Sequence, residues 1–259
     1  MTSYRTPCWS LVHQRKYVIG SGWFSEPGLN RRPEHGCSYL RTVEFHKIWL
    51  DVLLRYSNPC AVIIGDSASP IPLPPDSREQ VIRMDANYHA LMPDGLSGWM
   101  RSFLLGAMFA HCCESDFIYV EQDCLAVGDW VDAIYAQAEK APDSMLLGVP
   151  AVTADGITKQ VVQMSVVFVP YALLLDLPKA LGEIDPDIGR DEYQLQSTSL
   201  PRYRLPFGVG RARPIPVEAP AFEVQHMTKE ELCQVAARIG PDIHARVVYD
   251  LSHPETWTR

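Results

Sequence analysis

Asp116-Phe117-Ile118-Tyr119-Val120-Glu121-Gln122-Asp123-Cys124-Leu125 is the stretch on which the reading of this chain turns. Four apolar or aromatic residues, Phe117 to Val120, run into two carboxylates, Glu121 and Asp123, separated only by Gln122. In an extended chain, side chains two residues apart point the same way, roughly 7 Å apart along the strand. A buried strand ending in two same-facing carboxylates is a hard-oxygen site at the edge of a core. Such a site suits Mg²⁺ or Mn²⁺ shared with a phosphate-bearing ligand. An ordinary strand end returning to water reads the same way, so the rest of the chain has to decide.

Upstream, Lys16 to Gly22 reads as a short buried strand ending in a glycine loop. Residues Tyr39 to Tyr56 carry a helical pattern, with Leu40, Val43, Ile48, Trp49, Val52, Leu53 and Tyr56 recurring at spacings near three and four. Asn58-Pro59 stops that helix. Ala61 to Ile64 is a second buried strand ending in Gly65-Asp66-Ser67, and Gln80 to Met84 a third, running into Asp85-Ala86-Asn87. Ser97 caps a predicted helix from Gly98 to Glu114. After the strand at 117–120, a helix is expected over Asp129 to Lys140 and strands over Met145–Val149 and Gln163–Val169. A short helix is expected over Tyr171 to Leu181. Residues 183–220 read as long loops with short strands, and Thr228-Lys-Glu-Glu231 has the capping-box spacing of a helix running to Ile239. Alternating strands and helices predict an α/β fold, a mostly parallel sheet with helices on both faces. Ligands of such sheets bind at the carboxyl ends of the strands. On this reading the loops near Gly20, Gly65, Asp85 and Glu121 meet there.

Composition narrows the classes. The 259 residues are 47% hydrophobic and 21% charged, the balance of a folded globular chain rather than a disordered one. A formal charge of −8 disfavours nucleic acid, because a polyphosphate would be repelled. A nucleotide is not excluded, since one divalent cation neutralises a diphosphate locally. No apolar run approaches the ~20 residues that span a bilayer. The N-terminus lacks an apolar signal core, so a cytoplasmic location is expected. The 7 cysteines form no CxxC pair, and His111-Cys112-Cys113 falls in a predicted helix. Neighbours there point about 100° apart and cannot converge on one ion.

Each remaining polar group has an ordinary reading beside the functional one. Gly20-Ser21-Gly22 follows a strand, but a dinucleotide fingerprint needs a third glycine where Ser25 stands. A loop that lets a nucleotide approach the backbone and a plain turn both fit. Asp66 and Asp85 sit where a base or ribose is read, and also where aspartates form turns. Arg101 on the helix before the acidic strand is a phosphate partner or a solvated arginine.

The order of strands, helices and strand-end residues, closing on Tyr119-Val-Glu-Gln-Asp-Cys-Leu125, resembles the nucleotide-diphospho-sugar transferases of the GT-A glycosyltransferase fold. Members carry an Asp-x-Asp motif after an apolar strand, and Glu121-Gln122-Asp123 looks like its Glu-x-Asp variant. The resemblance covers residues 16–170. It implies one GT-A domain over 1–259, with a nucleotide-binding half at 16–125 and an acceptor-binding half at 126–259. It further implies a metal-dependent transfer of sugar from a UDP- or GDP-sugar to a saccharide or other hydroxyl acceptor. Asp123 would ligate Mn²⁺ or Mg²⁺, Glu121 would contact ribose or a metal-bound water, and Asp66 would read the base. Gly20, Ser21, Asp85 and Arg101 would complete the nucleotide site, and His226 would be a further metal ligand. Asp191 or Glu192 would be the base that takes the acceptor proton. The chain departs from the pattern in having a single acid in Gly65-Asp66-Ser67 and no family match in the Gly20–Arg32 loop. A nucleotidyltransferase and a non-catalytic nucleotide-sugar-binding protein remain the alternatives.

Overall fold

Apolar residues alternate between two packed faces along the strands and form single stripes along the helices, which fixes a layered α/β architecture. The computed structural model describes residues 15–26, 36–87, 96–148, 163–183, 195, 198–207, 210, 211 and 213–258. Its strands are β1 (Tyr17–Trp23), β2 (Ala61–Asp66), β3 (Gln80–Arg83), β4 (Asp116–Val120), β5 (Cys124–Gly128), β6 (Met145–Gly148), β7 (Gln163–Val169), β8 (Arg202–Arg204) and β9 (Ala221–Gln225). Its helices are α1 (Val43–Arg55), α2 (Leu96–Cys112), α3 (Trp130–Ala138), α4 (Asp176–Gly182), α5 (Lys229–Ile239) and α6 (Pro241–Ser252).

The central sheet has 7 strands in the order β3-β2-β1-β4-β7-β6-β8. All neighbours are parallel except where β7 runs against β4 and β6. Strand β4 shows why both faces must be covered. Ile118 and Val120 pack into one apolar cluster with Phe45 and Trp49 of α1, Leu232 of α5 and Val247 of α6. Phe117 and Tyr119 enter a second cluster with Phe103 and Ala107 of α2 and Leu177 of α4. Helices therefore lie on both faces, as the sequence pattern predicted. The exposed edges are short, with Gln80 and Arg83 on β3 and Arg202 and Arg204 on β8, polar residues that discourage pairing with another sheet. Strands from both predicted halves share this sheet, since β6, β7 and β8 extend the side opened by β4. A separate two-stranded ribbon pairs β5 antiparallel with β9.

Several local readings change. Gly20 and Ser21 do not begin a loop, because β1 continues through them to Trp23. The reason is close packing: a Cβ on Gly20 would stand 2.6 Å from the Phe117 ring, with the Gly106 Cα of α2 at 3.6 Å. Both residues thus lie inside a buried strand rather than in an open phosphate-cradling loop. Helix α2 starts at Leu96, so Ser97 falls inside its first turn instead of capping it. The pattern from Tyr39 to Tyr56 is divided at Thr42. A 3-10 turn over Ser38–Arg41 precedes the Thr42 cap, whose hydroxyl accepts the Phe45 N–H. Strands β5 and β9 and helix α6 escaped the sequence reading. Pro241 occupies the first turn of α6, where its missing N–H costs nothing.

The capping box at Thr228 forms as predicted, its hydroxyl accepting the Glu231 N–H and the Glu231 carboxylate accepting the Thr228 N–H. Thr228→Ala is expected to lower stability by about 1 kcal/mol. Urea denaturation of the variant should show a lower midpoint with an unchanged slope.

Candidate functional site

The strand order reverses at β1, with β2 and β3 on one side and β4 on the other. Such a switch point opens a crevice at the carboxyl ends of the strands, the usual ligand site of an open α/β sheet. Here the strand ends are tied together by polar contacts. Gln122, leaving β4, accepts the Phe24 N–H at 2.9 Å and donates to the Phe24 carbonyl at 3.3 Å beyond β1. The Ser69 hydroxyl donates to the Ser25 carbonyl, and the Ser25 hydroxyl donates to the Arg41 carbonyl. The Trp49 indole donates to the Glu121 carbonyl at 3.2 Å, and the Glu121 N–H reaches the Ser165 carbonyl of β7 at 2.8 Å. The two carboxylates thus sit on a braced turn between β4 and β5.

Asp123 is 1% exposed, yet three side chains reach its carboxylate. Arg41 donates to Oδ2 at 2.7 Å, the Gln225 amide donates to Oδ1 at 2.9 Å, and His226 Nε2 stands 3.5 Å from Oδ2. The same Gln225 amide nitrogen donates to Glu121 Oε2, while its oxygen accepts from Arg211 Nε at 3.1 Å. The ribbon explains this convergence. Register pairs Cys124 with Gln225, so the residues just before β5 and just after β9 meet at one end. His226 turns back toward the acids through a left-handed backbone (φ 56°), a conformation uncommon for a residue other than glycine.

Behind the acids lies a second polar layer. Glu223 of β9 is fully buried, its Oε2 accepting a weak bond from the Cys124 thiol at 3.6 Å. The Ser165 hydroxyl and the Gly210 backbone also lie against its carboxylate. Burial pushes the Glu223 carboxyl up to about 7, against the lowering influence of Ser165 and Cys124. Burial likewise raises the Cys124 thiol well above its ordinary value, reinforced by the Glu223 carboxylate.

The predicted residues separate in space. Asp123 and His226 face each other at 3.5 Å, and the Gln225 amide joins Asp123 to Glu121. Asp66 is buried at the end of β2, and its Oδ1 accepts the Ser69 N–H at 2.8 Å, the turn-forming role that aspartates often take. Burial raises its carboxyl, with the Ser69 N–H and Arg83 opposing. Asp85 follows β3 in an exposed bend, and Arg101 is exposed on α2. Asp191 and Glu192 lie outside the described residues, as do residues 27–32 of the Gly20–Arg32 loop. The sequence reading missed Arg41, Gln225 and Glu223. Arg41 was hidden inside an apparently continuous helical pattern, although Thr42 carried the cap signal that separates them. Gln225 and Glu223 alternate with Phe222 and Val224, the period-two signal of a strand, and β9 was overlooked.

Whether the residues suit a divalent cation depends on the donors present. Two carboxylates and an imidazole are appropriate for Mn²⁺, and the carboxylates also for Mg²⁺. Neighbouring ligands of an octahedral ion at such bond lengths lie about 3 Å apart, close to the 3.5 Å between His226 Nε2 and Asp123 Oδ2. No group of three or more His, Cys, Asp or Glu residues is assembled around one point among the described residues. The physical reason is visible: the Gln225 amide stands between Glu121 and Asp123, and Arg41 covers the Asp123 oxygen that faces His226. A cation at Asp123 would have to displace Arg41 from Oδ2. No protein-family model matches the chain, and no curated protein matches it.

Proposed function

We propose that the protein is a divalent-cation-dependent glycosyltransferase that takes a sugar from a nucleoside diphosphate donor, a UDP- or GDP-sugar. The observation that carries this reading is that Asp123, joined to Glu121 through the Gln225 amide, faces His226 at 3.5 Å beside the switch point of the sheet. That location favours a nucleotide, and that donor set favours Mn²⁺ or Mg²⁺. Asp123 and His226 would hold the cation, with Glu121 contacting it through water or binding the ribose. When bound, the cation neutralises the diphosphate and stabilises it as a leaving group.

The remaining chemistry falls to the chain. The turn braced by Gln122 and Trp49 keeps the acids fixed, so little reorganisation is needed when charge develops on the leaving phosphate. The hydroxyl of a saccharide or similar acceptor attacks the anomeric carbon as the bond to the diphosphate breaks. Its proton passes to a carboxylate, for which the sequence offers Asp191 or Glu192.

The test is a thermal-shift titration with UDP and GDP, each with and without Mn²⁺. Stabilisation by nucleotide is expected only with the metal present, because only ligand bound to the folded state raises the midpoint. Asp123→Asn should abolish that metal-dependent shift. A variant that keeps the full shift removes the assignment. Incubation with a UDP- or GDP-sugar and Mn²⁺ should then release the nucleoside diphosphate; binding without release would leave only a nucleotide-sugar-binding protein.

A further inference from the structure

We infer that Arg213 is a positioning residue, which clamps the backbone at His226 and so keeps the imidazole aimed at Asp123. Only His226, Met227 and the cap residue Thr228 separate β9 from α5. His226 makes the bend with φ 56°, a left-handed backbone that a residue with a Cβ enters at a cost. Such a conformation persists only where the surroundings hold it.

Arg213 holds it from one side. Its Nη2 donates to the Gln225 carbonyl at 3.1 Å and to the His226 carbonyl at 3.4 Å, and its Nη1 donates to the Gly210 carbonyl at 3.3 Å. The guanidinium is itself fixed, because the Glu231 carboxylate accepts from its Nε and, at 3.0 Å, from its Nη2. That carboxylate also accepts the Thr228 N–H in the capping box, so the clamp ties the His226 bend to the first turn of α5. A planar fork of donors can serve a carboxylate and several carbonyls together, which a lysine ammonium on its flexible stem matches poorly.

Gly36 and Cys37 close the other side. A Cβ on Gly36, at φ 81°, would stand 2.6 Å from the His226 carbonyl carbon and 2.7 Å from the Met227 carbonyl oxygen. Glycine is what lets the two backbones approach this closely. The Cys37 N–H donates to the Met227 carbonyl at 2.8 Å, and the Met227 side chain is buried in the core. Between these restraints the imidazole of His226 is 10% exposed, with Nε2 at 3.5 Å from Asp123 Oδ2. Strain braced from two directions behind a side chain that faces a buried carboxylate serves position rather than stability. The positioning needs neither a cation nor a nucleotide; only its bearing on sugar transfer rests on the proposed function.

Acylation by diethyl pyrocarbonate, followed peptide by peptide by mass spectrometry, reads how freely each imidazole reaches solvent. In Arg213→Met, His226 should react about tenfold faster than in the unaltered protein, because bonds from a charged donor are lost and the bend opens locally. His46 on α1, 4% exposed, should keep its rate, which separates local opening from general loss of structure. Arg213→Lys, keeping the charge but not the fork, should give an intermediate rate. An unchanged His226 rate overturns the inference, and so does a rise that His46 shares. Should Arg213→Met fold poorly, Glu231→Gln loosens the guanidinium from the helix cap and should raise the His226 rate to a smaller extent; no rise there overturns the inference equally. The thermal shift with UDP or GDP and Mn²⁺ is read on the same proteins. Its loss in Arg213→Met supports the bearing on the site, whereas a full shift beside a released His226 overturns it. A faster His226 in Arg213→Met, with no shift even in the unaltered protein, removes the proposed function and leaves the clamp standing.

Discussion

Gly128→Ala is expected to destabilise the protein by about 3–5 kcal/mol, through left-handed strain combined with an overlap that cannot relax. Gly128 ends β5 at φ 80°, a region that a residue with a Cβ enters only at a cost. A Cβ built there would also overlap the Pro220 carbonyl oxygen, and it would lie 2.9 Å from the carbonyl carbon. That oxygen accepts the Asp129 N–H at 3.1 Å, at the entry to α3, so moving it away breaks a hydrogen bond. Because the partner is backbone immediately before the facing strand β9, relief requires prising the ribbon apart. The far end of the same ribbon carries Asp123 and His226. On the proposed function, the variant should lose nucleotide-and-metal stabilisation together with global stability. Chemical denaturation measures the first effect, and a melting midpoint within one degree of the unaltered protein would refute the packing argument.

Glu223→Gln is expected to stabilise the protein at pH 8 by up to about 3 kcal/mol while leaving its stability at pH 4 nearly unchanged. The sign follows from the raised carboxyl, about 7 in the fold against an ordinary 4.5. Below pH 4.5 the group is protonated whether folded or unfolded and contributes nothing. Between the two values the unfolded chain releases its proton while the folded chain keeps it, so rising pH favours unfolding. Above about 7 both states are ionised and the full destabilisation is present. Stability associated with this residue is thus highest below pH 4.5 and is lost as pH climbs through 7. Glutamine removes the titration while keeping the shape. Urea midpoints of both proteins at pH 4, 6 and 8 give the difference directly; parallel profiles would show that burial does not raise the Glu223 carboxyl.

Much of the framework could be read from local signals. The apolar runs at 61–64, 117–120 and 163–169 became β2, β4 and β7, and the Thr228 box opened α5 at Lys229. These succeed because a strand between two helical layers must be apolar on both faces and a cap must satisfy its own helix end. Failures arose where a local signal was ambiguous. Glycines at 20 and 22 look like a turn but are there for the close crossing of α2, a contact with Gly106 and Ser102 that no neighbouring residue announces.

The site divides in the same way. The chain by itself determined that a buried strand ends in Glu121 and Asp123, and the position of His226 before a helix cap marked it as a residue able to fold back. Only the tertiary structure decided what faces those acids. Arg41 meets Asp123 across 82 positions of sequence and Gln225 meets it across 102. Hydrophobic periodicity specifies which side of an element is buried. The partner of a buried charge is set by strand order and by the register of β5 against β9, which bring distant residues to one strand end.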